Sequence, residues 1–115
     1  MKCGDICLVQ YPFTDGSAAK LRPVLIVSAD QFNNGEDIVV LPLTSNPNAD
    51  EDFCVVIEDN DPNFNRTGLK QSSAIKCTKP LTISKRLFKR KLGAIHPSIT
   101  TEVRTILADV FSIHR

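Results

Sequence analysis

Apolar residues occur along most of the chain in short stretches, each bounded by polar turn residues. In the first stretch Ile6 and Leu8 alternate with Cys7 and Val9, which is typical of a β-strand with two different faces. The second is apolar at nearly every position, which predicts a strand buried on both faces. Strands are predicted at residues 5–11, 21–28, 37–43, 53–57, 73–77 and 88–95, with only a single turn at 81–87.

One segment near the C-terminus has helical periodicity. Its apolar residues recur every three or four positions and form one stripe: Ile99, Val103, Ile106, Leu107, Val110 and Phe111. The predicted helix extends over residues 98–112, with Ser98 as its N-cap. Several short strands followed by one helix predict a mainly β fold with a C-terminal helix, a small curled antiparallel β-barrel. At this length we expect one domain over residues 1–115.

The composition is that of an ordinary globular protein, with 42% hydrophobic and 23% charged residues. No apolar run reaches the roughly 18 residues that a membrane span requires. The first residues lack the long apolar segment of a secretory signal and include Asp5. We therefore expect a cytoplasmic protein.

The four cysteines do not have the spacing of a metal site or of a dense disulfide framework. Cys3 and Cys7 form one loose pair, whereas a structural zinc site needs a second pair of Cys or His ligands. Free cysteine in a cytoplasmic protein usually packs as a small hydrophobe. We predict free thiols and no metal.

Charge is divided unevenly along the chain, although the net charge is only +1. Residues 1–61 have 3 Lys/Arg and 11 Asp/Glu, a net charge of −8. Residues 62–115 have 11 Lys/Arg and 2 Asp/Glu, a net charge of +9. Such polarity allows one surface to attract a polyanion. Alternatively, the two halves interleave in the sheet and partly neutralise each other.

Two side chains at the ends of predicted strands are suited to phosphate chemistry. Arg22 stands where a polar loop becomes a strand, and its guanidinium carries a permanent charge and five donors. Thr44 follows the strand at 37–43, and its hydroxyl is able to donate to a phosphate oxygen. The ordinary alternatives are a solvated surface arginine and a threonine that caps a turn.

Several segments of the sequence resemble the MazF/PemK-like toxins of bacterial toxin–antitoxin pairs. They are Gly4-Asp5-Ile6, Tyr11-Pro12-Phe13, Arg22-Pro23-Val24-Leu25-Ile26-Val27-Ser28, Leu41-Pro42-Leu43-Thr44-Ser45, Gly68-Leu69-Lys70-Gln71-Ser72-Ser73-Ala74-Ile75 and Pro80-Leu81-Thr82-Ile83-Ser84. With the terminal helix, the resemblance extends over nearly the whole chain. It implies a curled β-barrel related to SH3-like barrels.

The resemblance also implies an activity. Arg22 and Thr44 match the family's main catalytic arginine and its hydroxyl partner. The implied reaction is metal-independent and cofactor-independent cleavage of single-stranded messenger RNA at selected sequences. The 2′-hydroxyl attacks the adjacent phosphorus and leaves 2′,3′-cyclic phosphate and 5′-hydroxyl ends.

The family's auxiliary acid–base residues are matched only in part. Asp15 is the one candidate in the first loop, and Thr78 stands where other members have a carboxylate. Phe13 is the best candidate for stacking on an RNA base. The remaining residues that we expect to contact RNA are Ser17, Lys20, Ser45, Lys76 and Lys79.

The resemblance implies a homodimer whose RNA groove spans both subunits and is blocked by a cognate antitoxin protein. Operator DNA is bound mainly through the antitoxin. The basic cluster Lys85, Arg86, Lys89, Arg90 and Lys91 is suited to RNA or to an acidic antitoxin segment, or is simply solvated. Two alternative functions stay open, namely a non-cleaving RNA- or protein-binding module and an inhibitor of a topoisomerase.

Overall fold

A computed structural model describes residues 1–11, 20–45 and 51–113. In this part of the chain the segments rich in β-branched and apolar residues form seven strands, and the amphipathic C-terminal segment forms one α-helix. The strands are β1 (Asp5–Gln10), β2 (Leu21–Ile26), β3 (Asp37–Thr44), β4 (Cys54–Ile57), β5 (Ser73–Lys76), β6 (Leu81–Ser84) and β7 (Phe88–Ala94), and the helix is α1 (Pro97–Val110).

All strand pairs are antiparallel, and the order across the sheet is β4-β5-β3-β2-β1-β7. The long strand β3 pairs with two strands along one edge: Asp37–Val40 pair with β6, and Leu43–Thr44 pair with β5. The sheet is curled but not closed. The predicted mainly β, barrel-like fold with a C-terminal helix is confirmed.

The core consists of two clusters on opposite faces of the sheet. Ile6 belongs to the first, and Cys7 and Val9 belong to the second, as their alternation along β1 predicts. Four residues of the helical stripe, Ile99, Val103, Ile106 and Leu107, pack on the first cluster. Phe111 does not, since the helix ends before it and the ring is 54% exposed.

Two predictions for the C-terminal third are wrong. Residues 81–84 form the strand β6 rather than part of a turn, because β3 is long enough to pair with them. Only Lys85–Leu87 make a single 3-10 turn. His96, not Ser98, is the helix N-cap: its Nδ1 accepts a hydrogen bond of 3.1 Å from the Ser98 backbone N–H. Pro97 takes the first helical position, which proline favours.

Two glycines allow the backbone of one segment to lie directly on β7. Gly68 ends the 3-10 turn Phe64–Thr67 with a φ of +72°, a conformation that glycine adopts without strain. A Cβ on Gly68 would lie 2.1 Å from the Leu92 carbonyl oxygen, and a Cβ on Gly93 would lie 2.1 Å from the Arg66 carbonyl oxygen. The segment therefore contacts β7 backbone to backbone.

The pairing of β1 with β7 is irregular at two places. Cys7 and Leu8 pair with Lys91 and Arg90, but Val9 pairs with Phe88, so Lys89 has no partner on β1. The same shift occurs between Ile6 and Cys7 and omits Leu92. Each shift is a β-bulge, a feature that bends a strand and changes the direction of its side chains.

The four cysteines are free thiols, as predicted. Cys7 and Cys77 are buried in the two clusters. Burial, with a smaller contribution from Cys54, raises the pKa of Cys77 to about 11. Burial and the nearby Asp5 carboxylate also raise the pKa of Cys7. In residues 1–11, 20–45 and 51–113, no helix has the length and apolar character needed to cross a membrane.

Candidate functional site

A groove of about 520 Å³ opens over the part of the first sheet face that α1 leaves uncovered. Its floor and walls come from β1, β2, the end of β3, β7 and the segment 68–73. The residues that line it are Leu8, Lys20, Leu21, Arg22, Pro23, Leu43, Thr44, Ser45, Gly68, Leu69, Lys70, Gln71, Ser73, Arg90 and Leu92. Polar and charged groups therefore surround an apolar floor.

Arg22 is held at the start of β2, where Val9 is its partner on β1. The residue is exposed, and its guanidinium carbon lies 5.9 Å from the centre of the Tyr11 ring. This is a cation–π distance, so the ring orients the guanidinium without neutralising it. The guanidinium therefore keeps its charge and its donors for an anion in the groove.

Thr44 is the last residue of β3 and pairs with Ala74 of β5. It is half-buried, and Ser45 beside it is exposed. Because the pairing with β5 fixes its backbone, Thr44 has a defined place at the edge of the groove. The structure thus brings Thr44 and Arg22, from different strands, to the same groove.

The other predicted site residues are distributed unevenly. Lys20 and Ser45 line the groove, whereas Lys76 and Lys79, at and beyond the end of β5, do not. Thr78 is exposed and also lies away from the groove. Asp15, Phe13 and Ser17 lie outside the described residues, so their predicted roles stay predictions.

The groove is cationic. Lys20, Arg22, Lys70 and Arg90 line it, and no carboxylate occurs among its lining residues in the described ranges. Apolar walls around these side chains strengthen their attraction for an anion, because the local dielectric constant is lower than that of water. A polyanionic strand is the ligand that such a groove favours.

Four polar groove residues were not predicted individually. Lys70 and Gln71 lie in a segment that reads as a loop, Ser73 begins β5, and Arg90 belongs to a basic cluster of five residues. For Lys70 and Arg90 the sequence signal was the excess of positive charge after residue 61. That signal does not distinguish which side chains face the groove, since this depends on strand pairing.

The described residues offer no obvious metal site. Within residues 1–11, 20–45 and 51–113, no three His, Cys, Asp or Glu side chains lie close enough together to hold a metal ion.

The model of one protein family, described as the PemK-like, MazF-like toxin of type II toxin–antitoxin systems, matches residues 2–111. The chain belongs to this family. The match includes β1 to β7 and α1, and thus every described element that builds the groove. No curated protein matches the sequence at a significant level.

Solved structures with the same fold come from several bacteria. A mycobacterial endoribonuclease in complex with its cognate antitoxin has a TM-score of 0.78 at 19% identity, covering 100% of this chain and 98% of its own. The Mycobacterium tuberculosis toxin MazF-mt6 has a TM-score of 0.77 at 20% identity, covering 96% of this chain and 99% of its own. MazF in a MazE-MazF complex from Deinococcus radiodurans has a TM-score of 0.78 at 17% identity, with 99% and 97% covered. These similarities establish the shared fold.

Proposed function

We propose that this family member is an endoribonuclease that cuts single-stranded messenger RNA at selected sequences and so slows translation. The observation that carries the proposal is the presence of Arg22 and Thr44 in one cationic groove. Family membership over residues 2–111 supports the same reaction. The groove is open to solvent, as a site for a flexible strand must be.

In the proposed reaction the 2′-oxygen of a ribose loses its proton and attacks the adjacent phosphorus, and the 5′-oxygen leaves and takes up a proton from solvent water. The products are a 2′,3′-cyclic phosphate and a 5′-hydroxyl end. Arg22 stabilises the additional negative charge on the phosphate oxygens as the transition state forms. Thr44 donates a hydrogen bond to one of these oxygens and fixes the phosphate between β2 and β3.

The proton of the 2′-hydroxyl needs an acceptor, and Asp15 is the candidate that the sequence supplies. Its loop connects β1 to β2 and precedes Lys20, which lines the groove. A carboxylate placed there takes up the 2′-hydroxyl proton as the 2′-oxygen attacks. General-base catalysis of this kind typically contributes about 10²–10⁴-fold to the rate.

The proposed partners follow from the same family membership. We expect a homodimer that acts in the cytoplasm and a cognate antitoxin that covers the groove. Two relatives of the same fold are described in complex with an antitoxin or with MazE. Operator DNA would be bound mainly through the antitoxin rather than through this chain.

A binding module without catalysis is the second candidate. It is favoured because no His, Asp or Glu of the described ranges lines the groove, so the described part of the site contains no proton acceptor of that kind. Such a module would hold RNA through the same lysines and arginines without cutting it.

Cleavage of a long natural single-stranded RNA in the presence of EDTA distinguishes the two candidates. The wild-type protein should give discrete fragments with 5′-hydroxyl ends. Arg22→Ala should reduce the cleavage rate by about 10²–10³-fold, because it removes the charge that stabilises the transition state. Thr44→Val, which removes one hydroxyl from a residue of the same shape, should reduce it by a smaller factor.

Thr82→Val is the matched control, since it makes the same change at an exposed residue of β6 that does not line the groove. Its rate should stay near that of the wild type. A folded wild-type protein that binds RNA but leaves it uncut would overturn the nuclease proposal and support the binding module. Equal rates for Arg22→Ala and the wild type would overturn the assigned role of Arg22.

A further inference from the structure

Arg90 faces the groove only because of the bulge at Lys89. Two residues that are two positions apart in a regular strand point to the same side of the sheet. Phe88 and Arg90 point to opposite sides: Phe88 packs on the second core cluster with Val9, and Arg90 pairs with Leu8 and lines the groove. The unpaired Lys89 between them produces this reversal.

The neighbouring lysines of β7 differ from Arg90 in their surroundings. Lys91 pairs with Cys7, on the other face, and its Nζ lies 3.3 Å from the Asp5 carboxylate. A separate depression on that side is lined by Lys89 and Lys91, and Arg90 contributes to it as well. Of these three basic residues of β7, only Arg90 lines the groove. Arg90 takes part in no ion pair within the described part of the chain.

Arg90 and Arg22 flank the strand that forms the groove floor. Leu8 pairs with Arg90 on one side of β1, and Val9, the next residue, pairs with Arg22 on the other. Neighbouring strands are about 4.8 Å apart, so β2 and β7 lie about 10 Å apart across β1. A nucleic-acid strand that follows the groove would pass over Leu8 and meet Arg90, while Arg22, the partner of Val9, lines the same groove from β2.

We propose that Arg90 is a second phosphate-binding residue of the groove, which holds the RNA backbone at a different phosphate from the one that Arg22 binds. This inference rests on the proposed function. Arg90 fixes the position of the strand, while the chemistry takes place at Arg22 and Thr44. Its guanidinium fork is suited to two phosphate oxygens at once.

The test is binding of a fluorescent single-stranded RNA of mixed sequence, methylated at every 2′-oxygen so that it is not cut. Its dissociation constant is measured by anisotropy at several salt concentrations for the wild type, Arg90→Ala, Arg90→Lys and Lys89→Ala. Lys89→Ala is the matched control, because it removes the adjacent positive charge from the opposite side of β7. Thermal unfolding of each variant shows that it is folded.

Arg90→Ala should weaken binding about tenfold, as the loss of a charged hydrogen bond does. It should also reduce the slope of log affinity against log salt by about 0.7, the value for one phosphate contact to a single strand. Arg90→Lys should restore the slope and part of the affinity. Lys89→Ala should change both by less than Arg90→Ala does.

The assignment of Arg90 would be overturned if Arg90→Ala and Lys89→Ala weakened RNA binding equally. It would also be overturned if Arg90→Ala lost antitoxin binding and kept RNA binding unchanged. Neither result affects the nuclease proposal, which depends on cleavage by the wild type. RNA binding that requires Arg90 in a protein that cuts no RNA would support this inference and overturn the nuclease. A wild type that does not bind the probe overturns both.

Discussion

The proposed catalytic residues Arg22 and Thr44 lie where pairing in the sheet fixes the backbone. Arg22 is the second residue of β2 and Thr44 the last residue of β3, and both line the groove. Fixed positions reduce the entropy that is lost when a phosphate binds. Placing a polar side chain there costs little folding stability, because a strand end needs no side-chain packing of its own.

The buried thiol of Cys77 makes stability dependent on alkaline pH. Its folded pKa of about 11 lies above the ordinary thiol pKa of 9.0, so the folded state holds the proton more tightly than the unfolded state. This contribution is fully present below pH 9 and is lost as the pH rises through 11. We expect the stability difference between wild type and Cys77→Ala to fall by about 2 kcal/mol over this range.

Chemical denaturation of both proteins at intervals from pH 8 to pH 11 measures this difference, and other titrating groups cancel in the comparison. Cys3→Ala is the control, since Cys3 is only half-buried. A wild-type to Cys77→Ala difference that is the same at every pH would contradict the expectation.

Strand boundaries in the sequence were sufficient to single out Arg22 and Thr44, and both line the groove. The sequence did not distinguish Arg90, which lines the groove, from Lys76, which does not, since a face of the sheet is defined only by pairing. The bulge at Lys89 has no local signal in a run of consecutive basic residues.

Among the elements, the contact between the 3-10 turn Phe64–Thr67 and β7 allows no additional atom. A Cβ on Gly93 would lie 2.1 Å from the Arg66 carbonyl oxygen and 2.7 Å from that of Thr67. Both neighbours are backbone, so neither can rotate away. Gly93→Ala should therefore lower the free energy of unfolding by about 3 kcal/mol or more, as severe overpacking does.

Gly35→Ala is the matched control for this prediction. A Cβ there would lie 3.6 Å from the Phe32 carbonyl oxygen, an ordinary contact, and the φ of −84° is common for alanine. Urea denaturation should show a change within about 1 kcal/mol for this variant. Similar stabilities of the two variants would show that the segment separates from β7 easily.

Element boundaries were predicted to within one or two residues for six of the seven strands and for the helix. The exception, β6, is only four residues long, and three of them are partly or fully exposed, so its sequence lacks a buried apolar run. Its pairing with the first half of β3 is a tertiary effect. The N-cap was misplaced because histidine is an uncommon cap, although Pro97 marks the first helical turn.

At the scale of the whole molecule, the cationic groove should make RNA binding strongly dependent on salt. If Lys20, Arg22, Lys70 and Arg90 each contact one phosphate, log affinity should fall against log salt with a slope of about −2.8. Affinity should then decrease about fifty-fold between 50 and 200 mM salt. Anisotropy titration with the methylated RNA measures this slope.

A slope close to zero would contradict the role of the groove in binding phosphates. A steeper slope that persists when all four residues are neutralised would assign the binding to another surface, such as Lys85 and Lys89. Neutralising Glu58 and Asp59, which follow β4 at the opposite end of the strand order, serves as the control for a general charge effect.

The charge division along the sequence is partly kept in the fold. The acidic residues after β4 and the basic residues of β7 lie at opposite ends of the strand order. The two halves also interleave, because the pair of Lys91 with Asp5 joins them. Both alternatives left open by the sequence are therefore partly correct: strand order separates the acidic residues from the basic ones, and one ion pair joins the two halves.

The close contact of Gly68 and Gly93 has a consequence for how recognition diverges among related proteins. Because this wall is spaced by main-chain atoms, its distance from the floor does not depend on which side chains follow it. The exposed Lys70 and Gln71 can then be exchanged without altering the width of the opening. Under the proposed function, natural variation at these two positions changes the preferred nucleotide sequence while the fold stays constant.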